Sequence, residues 1–110
     1  MQLETYKTQI IEGEDLIIPI KWTVKETGAP IDLTGSEIFF DARRSFYDMP
    51  AIITDASLGE YEFILEAAKT AGQVTTGGEI NLDYLVRHTD PEGIINYVYR
   101  INVKVVGANE

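Results

Sequence analysis

The sequence predicts an all-β sandwich, on three observations. Apolar residues recur at every second position in five separate extended segments, the period that puts alternate side chains on one sheet face. Turns rich in Gly, Pro and Asp divide those segments, and no long helical pattern alternates with them. The chain has 110 residues, 45% of them hydrophobic, enough for one core and so for a single domain over residues 1–110.

A first strand over Glu4–Ile11 leads into the turn "IEGED". In "DLIIPIKW" the residues Leu16, Ile18, Ile20 and Trp22 share one face, with Ile17, Pro19 and Lys21 on the other. Pro19 cannot donate to a ladder, which requires an edge, a bulge or an outward amide there. "SEIFFDAR" turns Ile38, Phe40 and Ala42 inward and Phe39 outward. "EYEFILE" does the same with Tyr61, Phe63 and Leu65 against Ile64. "EAAKTAG" has helix formers and a Gly stop but only about two turns, so it reads as a short crossing between sheets. "EINLDYLVR" buries Ile80, Leu82, Tyr84 and Val86, leaving Leu85 outside. "IINYVYRINVKVV" buries Ile95, Tyr97, Tyr99, Ile101, Val103 and Val105, leaving Val98 and Val106 outside. Between them "TDPEGI" has a type I turn profile, making residues 79–105 a long antiparallel hairpin. Residues 107–110 read as a frayed tail. Short strands without long helices fit a sandwich or a barrel, and inward faces alternating with polar ones favour the sandwich.

The stretch "TGAPIDLTG" is a corner. Gly28 closes a turn, Pro30 biases Ala29 towards an extended backbone, and Ile31 and Leu33 alternate with Asp32. Asp32 is placed to accept hydrogen bonds from the Thr34–Gly35 turn that follows.

Charge and composition narrow the function. The net charge is −9, a surface that repels phosphate backbones and anionic membranes, so neither nucleic acid nor membrane is an expected partner. Arg43-Arg44 is the one basic doublet, and Asp41 and Asp48 flank it. No cysteine is present, which removes disulfides and thiolate metal sites and fits a reducing cytoplasm. Met1 to Glu4 lacks the basic and apolar regions of a secretion signal, and no apolar run reaches the roughly 20 residues of a membrane span. A soluble protein is the expectation.

Chemistry finds little footing. His88 is the only histidine and falls near the predicted hairpin end, where an exposed turn residue is expected. A triad could be drawn from it with Asp90 and Ser36, Ser45 or Ser57, but no nucleophile-bearing turn of the G-x-S-x-G kind supports one. Glu12, Glu14 and Asp15 in one turn, and Asp90 and Glu92 in another, offer oxygen ligands for calcium without an EF-hand loop. No enzyme activity, cofactor or metal is expected. Apolar residues on nominally exposed faces point instead to a partner, and Phe39, Phe46, Tyr47, Ile64, Leu85 and Val98 form the candidate interaction surface.

The order "GEDLIIPIKW…TGAPIDLTGSEIFFDAR…GEYEFILE…TAGQV…GGEINLDYLV…GIINYVYRINVKV" resembles the immunoglobulin-like domains of bacteriophage and prophage tail and baseplate components. It is similar to the amino-terminal domain of siphophage baseplate upper proteins. Gly13-Glu14, Gly28, the corner Pro30, Ile31, Asp32, Leu33, Thr34 and Gly35, then Phe40 to Arg43 and Gly59, stand in matching order. The likeness runs from about Tyr6 to Val106, and the corner is its specific part. Those proteins usually continue into a helical or fibrous region; here the sequence ends at Glu110 without heptads. The resemblance implies an immunoglobulin-like antiparallel sandwich with at most one short helical crossing. It also implies a structural role in a virion assembled in a bacterial cytoplasm, with other virion proteins and further copies of itself as partners. The rival readings are an adhesion module that binds host-surface glycan or protein through Arg43–Ile53, and a hydrolase using His88.

Overall fold

A computed structural model of the chain describes residues 4–42, 49–72, 74 and 78–107. The period-two segments form strands: β1 (Thr5–Ile11), β2 (Leu16–Lys21), β3 (Glu37–Ala42), β4 (Met49–Pro50), β5 (Ile52–Asp55), β6 (Glu60–Leu65), β7 (Glu79–Thr89) and β8 (Ile95–Val106). They build two sheets, one ordered β1-β8-β7-β3-β4 and the other β2-β6-β5. Placing β2, β6 and β5 in one layer and β3, β7 and β8 in the other is the connectivity of an immunoglobulin-like sandwich. Both β4 and β5 fall in a stretch that the sequence pattern leaves as a connection.

One pairing departs from an all-antiparallel plan. β1 runs parallel to β8, with Thr5 opposite Arg100 and Ile11 opposite Val106. Period-two patterning gives which side chains face inward but not which strand lies alongside, so parallel pairing has no sequence signal.

The core forms where the two inward faces meet. Phe40 and Tyr84 from the larger sheet and Tyr61 and Phe63 from the smaller are all but fully buried. Phe63 meets Phe40 and Tyr84 edge-on, with ring centroids 4.9 and 5.1 Å apart, the geometry aromatic quadrupoles favour. Ile38, Leu65, Leu82, Val86, Ile101, Val103 and Val105 pack around them. Burying each such side chain contributes roughly 1.5–3 kcal/mol.

The expected crossing helix is one turn, α1 (Ala67–Thr70). Polar groups of the β1–β2 turn hold it: Asp15 Oδ1 accepts the Ala67 N–H at 2.7 Å and Glu12 Oε2 the Gly72 N–H at 2.9 Å. In return the buried Thr70 hydroxyl accepts the Gly13 N–H at 2.9 Å.

The corner closes as its residues dictate. Ile31 N–H donates to Trp22 O, Leu33 N–H to Ala56 O and Ser36 N–H to Leu33 O, while Leu33 is buried to 1% exposure. Asp32 Oδ1 accepts the Thr34 amide at 2.9 Å and the Thr34 hydroxyl at 2.6 Å. Gly59 packs against this corner at φ +70°; a Cβ there would lie 2.5 Å from Trp22 O and 2.7 Å from Ile31 O.

The hairpin turn is the expected one, with Gly93 N–H donating to Asp90 O. Its strands differ from expectation in one respect. The register shifts so that Val86 faces Tyr99 but Arg87 faces Tyr97, leaving Val98 as an extra residue in β8. This bulge reverses the faces of everything between it and the turn. Ile95 and Tyr97, expected inside, are 54% and 47% exposed.

Candidate functional site

The bulge at Val98 creates the most distinctive surface of the described residues. Rows of side chains on the outer face of the larger sheet follow from the register: Pro50, Phe39, Arg87 and Tyr97 lie side by side across four strands. In the next row Asp41 stands beside Leu85. The Arg87 guanidinium sits 5.0 Å from the centre of the Phe39 ring and pairs with Asp41 at 3.4 Å. Tyr97 donates its hydroxyl to the other Asp41 oxygen at 3.2 Å. A cation over an aromatic face gains about 0.5–1 kcal/mol at an exposed site. The larger consequence is order: Asp41 holds an Arg and a Tyr in fixed positions, and the exposed Ile95 follows Tyr97 on the same face of β8. Arg and Tyr are the residue types that dominate binding surfaces.

The structure therefore brings Phe39 and Leu85 together on one face and separates them from the other expected members. Ile64 is on the opposite side of the sandwich, beside Ile17 on the smaller sheet. Val98 is corrected: as the bulged residue it is partly buried and packs against the core rather than standing on the outer surface. Phe46 and Tyr47 lie outside the described residues, as do Arg43, Arg44 and Ser45. Ile95 and Tyr97 were missed as surface residues, and Arg87, expected on the outward face, was left out of the candidate surface. The only available signal was that "IINYVYR" is apolar or aromatic on both phases, a pattern compatible with a bulge.

His88 also differs from expectation. It lies in β7 rather than in a turn, is 9% exposed, and meets Trp22 edge-on at 4.9 Å. Its Nε2 and the Ser36 hydroxyl share a hydrogen bond at 3.1 Å, and its Nδ1 has no partner among the described residues. Asp90, drawn with it from the sequence, is used elsewhere: its Oδ1 accepts the Glu92 and Ile94 amides. The acid that would orient the imidazole in a triad is not in contact with it.

The turn carboxylates have similar local duties. Glu12 and Asp15 cap the α1 crossing, and Glu14 Oε1 accepts the Ile11 amide at 2.8 Å. Among the described residues no three acidic or histidine side chains are grouped to hold a metal ion.

A cleft of about 560 Å³ opens between β1 and β2, lined among others by Tyr6, Lys21, Trp22, Lys25, Tyr61 and Tyr99. Burial, then the neighbouring Tyr99, raises the Tyr61 hydroxyl above the ordinary tyrosine range. Burial, then Glu4 and Tyr6, does the same for Tyr99. Both hydroxyls stay protonated at neutral pH.

Compared with protein-family models and with curated proteins, the chain finds no match. The fold defines the class, an immunoglobulin-like sandwich, and the functional reading comes from its surface.

Proposed function

We propose that this chain is a non-enzymatic assembly module whose task is protein–protein contact. The observation that carries this reading is the row Phe39–Arg87–Tyr97 with Asp41 behind it. It is an ordered aromatic and cationic surface that the fold does not need for its own core. The assembly we assign it to is a phage or prophage particle, as a tail, baseplate or connector component, following the resemblance carried by Pro30 to Gly35. Purified particles from an induced host should contain the chain, and the double variant Arg87→Ala, Tyr97→Ala should fold yet be missing from them. Particles that lack the wild-type chain would reject the placement.

The cleft favours a second reading, a host-surface adhesion module. Tyr6, Trp22 and Tyr99 with Lys21 and Lys25 at one opening suit stacking on a sugar ring. A glycan array probed with wild type and Tyr6→Ala separates the two readings: signal that the variant loses supports adhesion, and no signal removes it.

A further inference from the structure

Polar side chains are used differently on the outer face of the larger sheet and in the cleft between β1 and β2. On the outer face they neutralise one another: Arg87 pairs with Asp41, Arg100 with Asp83 and Lys104 with Glu79. In the cleft, Glu4, Tyr6, Tyr61, Tyr99, Lys21 and Lys25 all reach the lining. Among the described residues, no hydrogen bond or ion pair engages the polar end of any of these six side chains.

An exposed polar end can be left to water, but Tyr61 is not such a case. It is 2% exposed, its ring packs against Phe40 in the core, and a buried hydroxyl calls for a partner. That hydroxyl lies close enough to the one of Tyr99 to feel its charge, and Tyr99 in turn feels Glu4 and Tyr6. Three phenols and a carboxylate therefore gather in one part of the cleft. The Val98 bulge helps to build it, because the extra residue brings Val98 and Tyr99 together onto the lining. The β2 wall supplies Lys21 and Trp22, and the Trp22 ring is braced edge-on against the buried His88.

We propose that this cleft binds a sugar bearing a carboxylate, of the uronic or sialic acid type. A polyhydroxylated ring can engage several unpartnered donors and acceptors at once, and its C–H face suits an aromatic wall. The Tyr61 and Tyr99 hydroxyls both donate and accept, whereas the Glu4 carboxylate accepts from ring hydroxyls. Charge selects the acidic sugar. Acids outnumber bases 18 to 9 in the whole chain, yet the cleft is lined by Lys21 and Lys25 against Glu4 alone. Lys21 stands across from Glu60 in β6 without forming an ion pair with it. An ammonium–carboxylate hydrogen bond is about twice as strong as a neutral one. Because Glu4 precedes β1 and the lysines belong to the β2 side, the sugar carboxylate has one favourable direction, towards Lys21 and Lys25. The inference rests on the adhesion reading and names the sugar that reading takes; assembly through the outer face does not depend on it.

The test is a glycan array that carries oligosaccharides of galacturonic acid and of sialic acid beside the same oligosaccharides with their carboxyls reduced to alcohols. The full chain should bind an acidic form roughly tenfold tighter than its reduced counterpart, and added salt should narrow that gap. In the double variant Lys21→Gln, Lys25→Gln, changed at two exposed positions, acidic and reduced forms should bind alike. Tyr61→Phe keeps the ring and loses no contact within the fold, so it should weaken both forms while urea unfolding stays the same. Reduced forms bound as well as acidic ones, or a preference that survives the double lysine variant, would overturn the acidic class and leave adhesion standing. No signal with any acidic or neutral glycan would overturn both.

Discussion

The corner around Leu33 and the outer face around Arg87 are both surface-reaching polar arrangements, yet they stand in opposite relations to the fold. In the corner every polar contact is turned inward on the chain itself. Asp32 serves Thr34, Leu33 bonds to Ala56, and Ile31 bonds to Trp22 across the space that Gly59 leaves open. On the outer face, Asp41, Arg87 and Tyr97 hold one another while Ile95, on the same face of β8, remains uncovered. The first region serves the chain's own stability, and the second is the one we propose meets a partner. Substitutions in the corner should therefore move the melting temperature, and substitutions on the face should move association.

Gly59→Ala should break the corner most severely. The new methyl would meet two backbone oxygens, Trp22 O at 2.5 Å and Ile31 O at 2.7 Å, and neither can swing aside as a side chain could. The positive φ adds about 1 kcal/mol of its own. A loss of about 3 kcal/mol or more, at the high end for point mutants, should appear in urea unfolding as a lower midpoint. A near-neutral result would mean that the β2 end and the corner do not approach as described. Leu33→Ala should come next, at about 2–5 kcal/mol, because a fully buried leucine leaves a cavity as well as losing its transfer energy.

The same scale gives the opposite outcome for the outer face. Arg87→Ala removes a half-exposed ion pair and a stacked cation, each modest in water, so unfolding should shift by no more than about 1 kcal/mol. Its association with partner proteins should fall by tenfold or more, as expected for an ordered Arg at a binding surface. A large stability loss with unchanged association would erase the distinction between the two regions.

How much of this could be read in the sequence follows from how local each cause is. Asp32 and Thr34 are two residues apart, so their hydrogen bonds were legible, as was the Asp90–Gly93 turn. The inward sets of β2, β3, β6 and β7 were legible because the pleat has period two. Three features depend on residues far apart in the chain and left no such trace. The parallel β1–β8 pairing joins opposite ends of the chain. Gly59 is required by two carbonyls of the β2 end and the corner. The Val98 bulge exists only relative to β7, and missing it put Tyr97 inside and Val98 outside. His88 was misplaced for a different reason: β7 runs right up to the expected turn, to Thr89, so His88 continues the inward phase of Leu82, Tyr84 and Val86 and lies beside Ser36 and Trp22.

The smallest expected effect belongs to Asp32 and tests the corner by its charge alone. The Thr34 hydroxyl first, and the Thr34 amide second, hold the Asp32 carboxyl below the ordinary aspartate range. A folded value below the unfolded one means that the ionised form favours folding. The contribution is fully present above the unfolded pKa and disappears as pH falls through the folded one. Asp32→Asn keeps an acceptor for the Thr34 amide but has no charge. The melting-temperature difference between wild type and this variant should be small at neutral pH, because the group is open to solvent and salt screens it. It should shrink towards zero as the pH drops through the acid range. In Thr34→Ala, which lacks the hydroxyl donor, the pH-dependent part of that difference should be smaller from the start. A difference that grows on acidification would show that the Asp32 carboxylate is held against its charge, and the corner would then owe its shape to Pro30 and Leu33 instead.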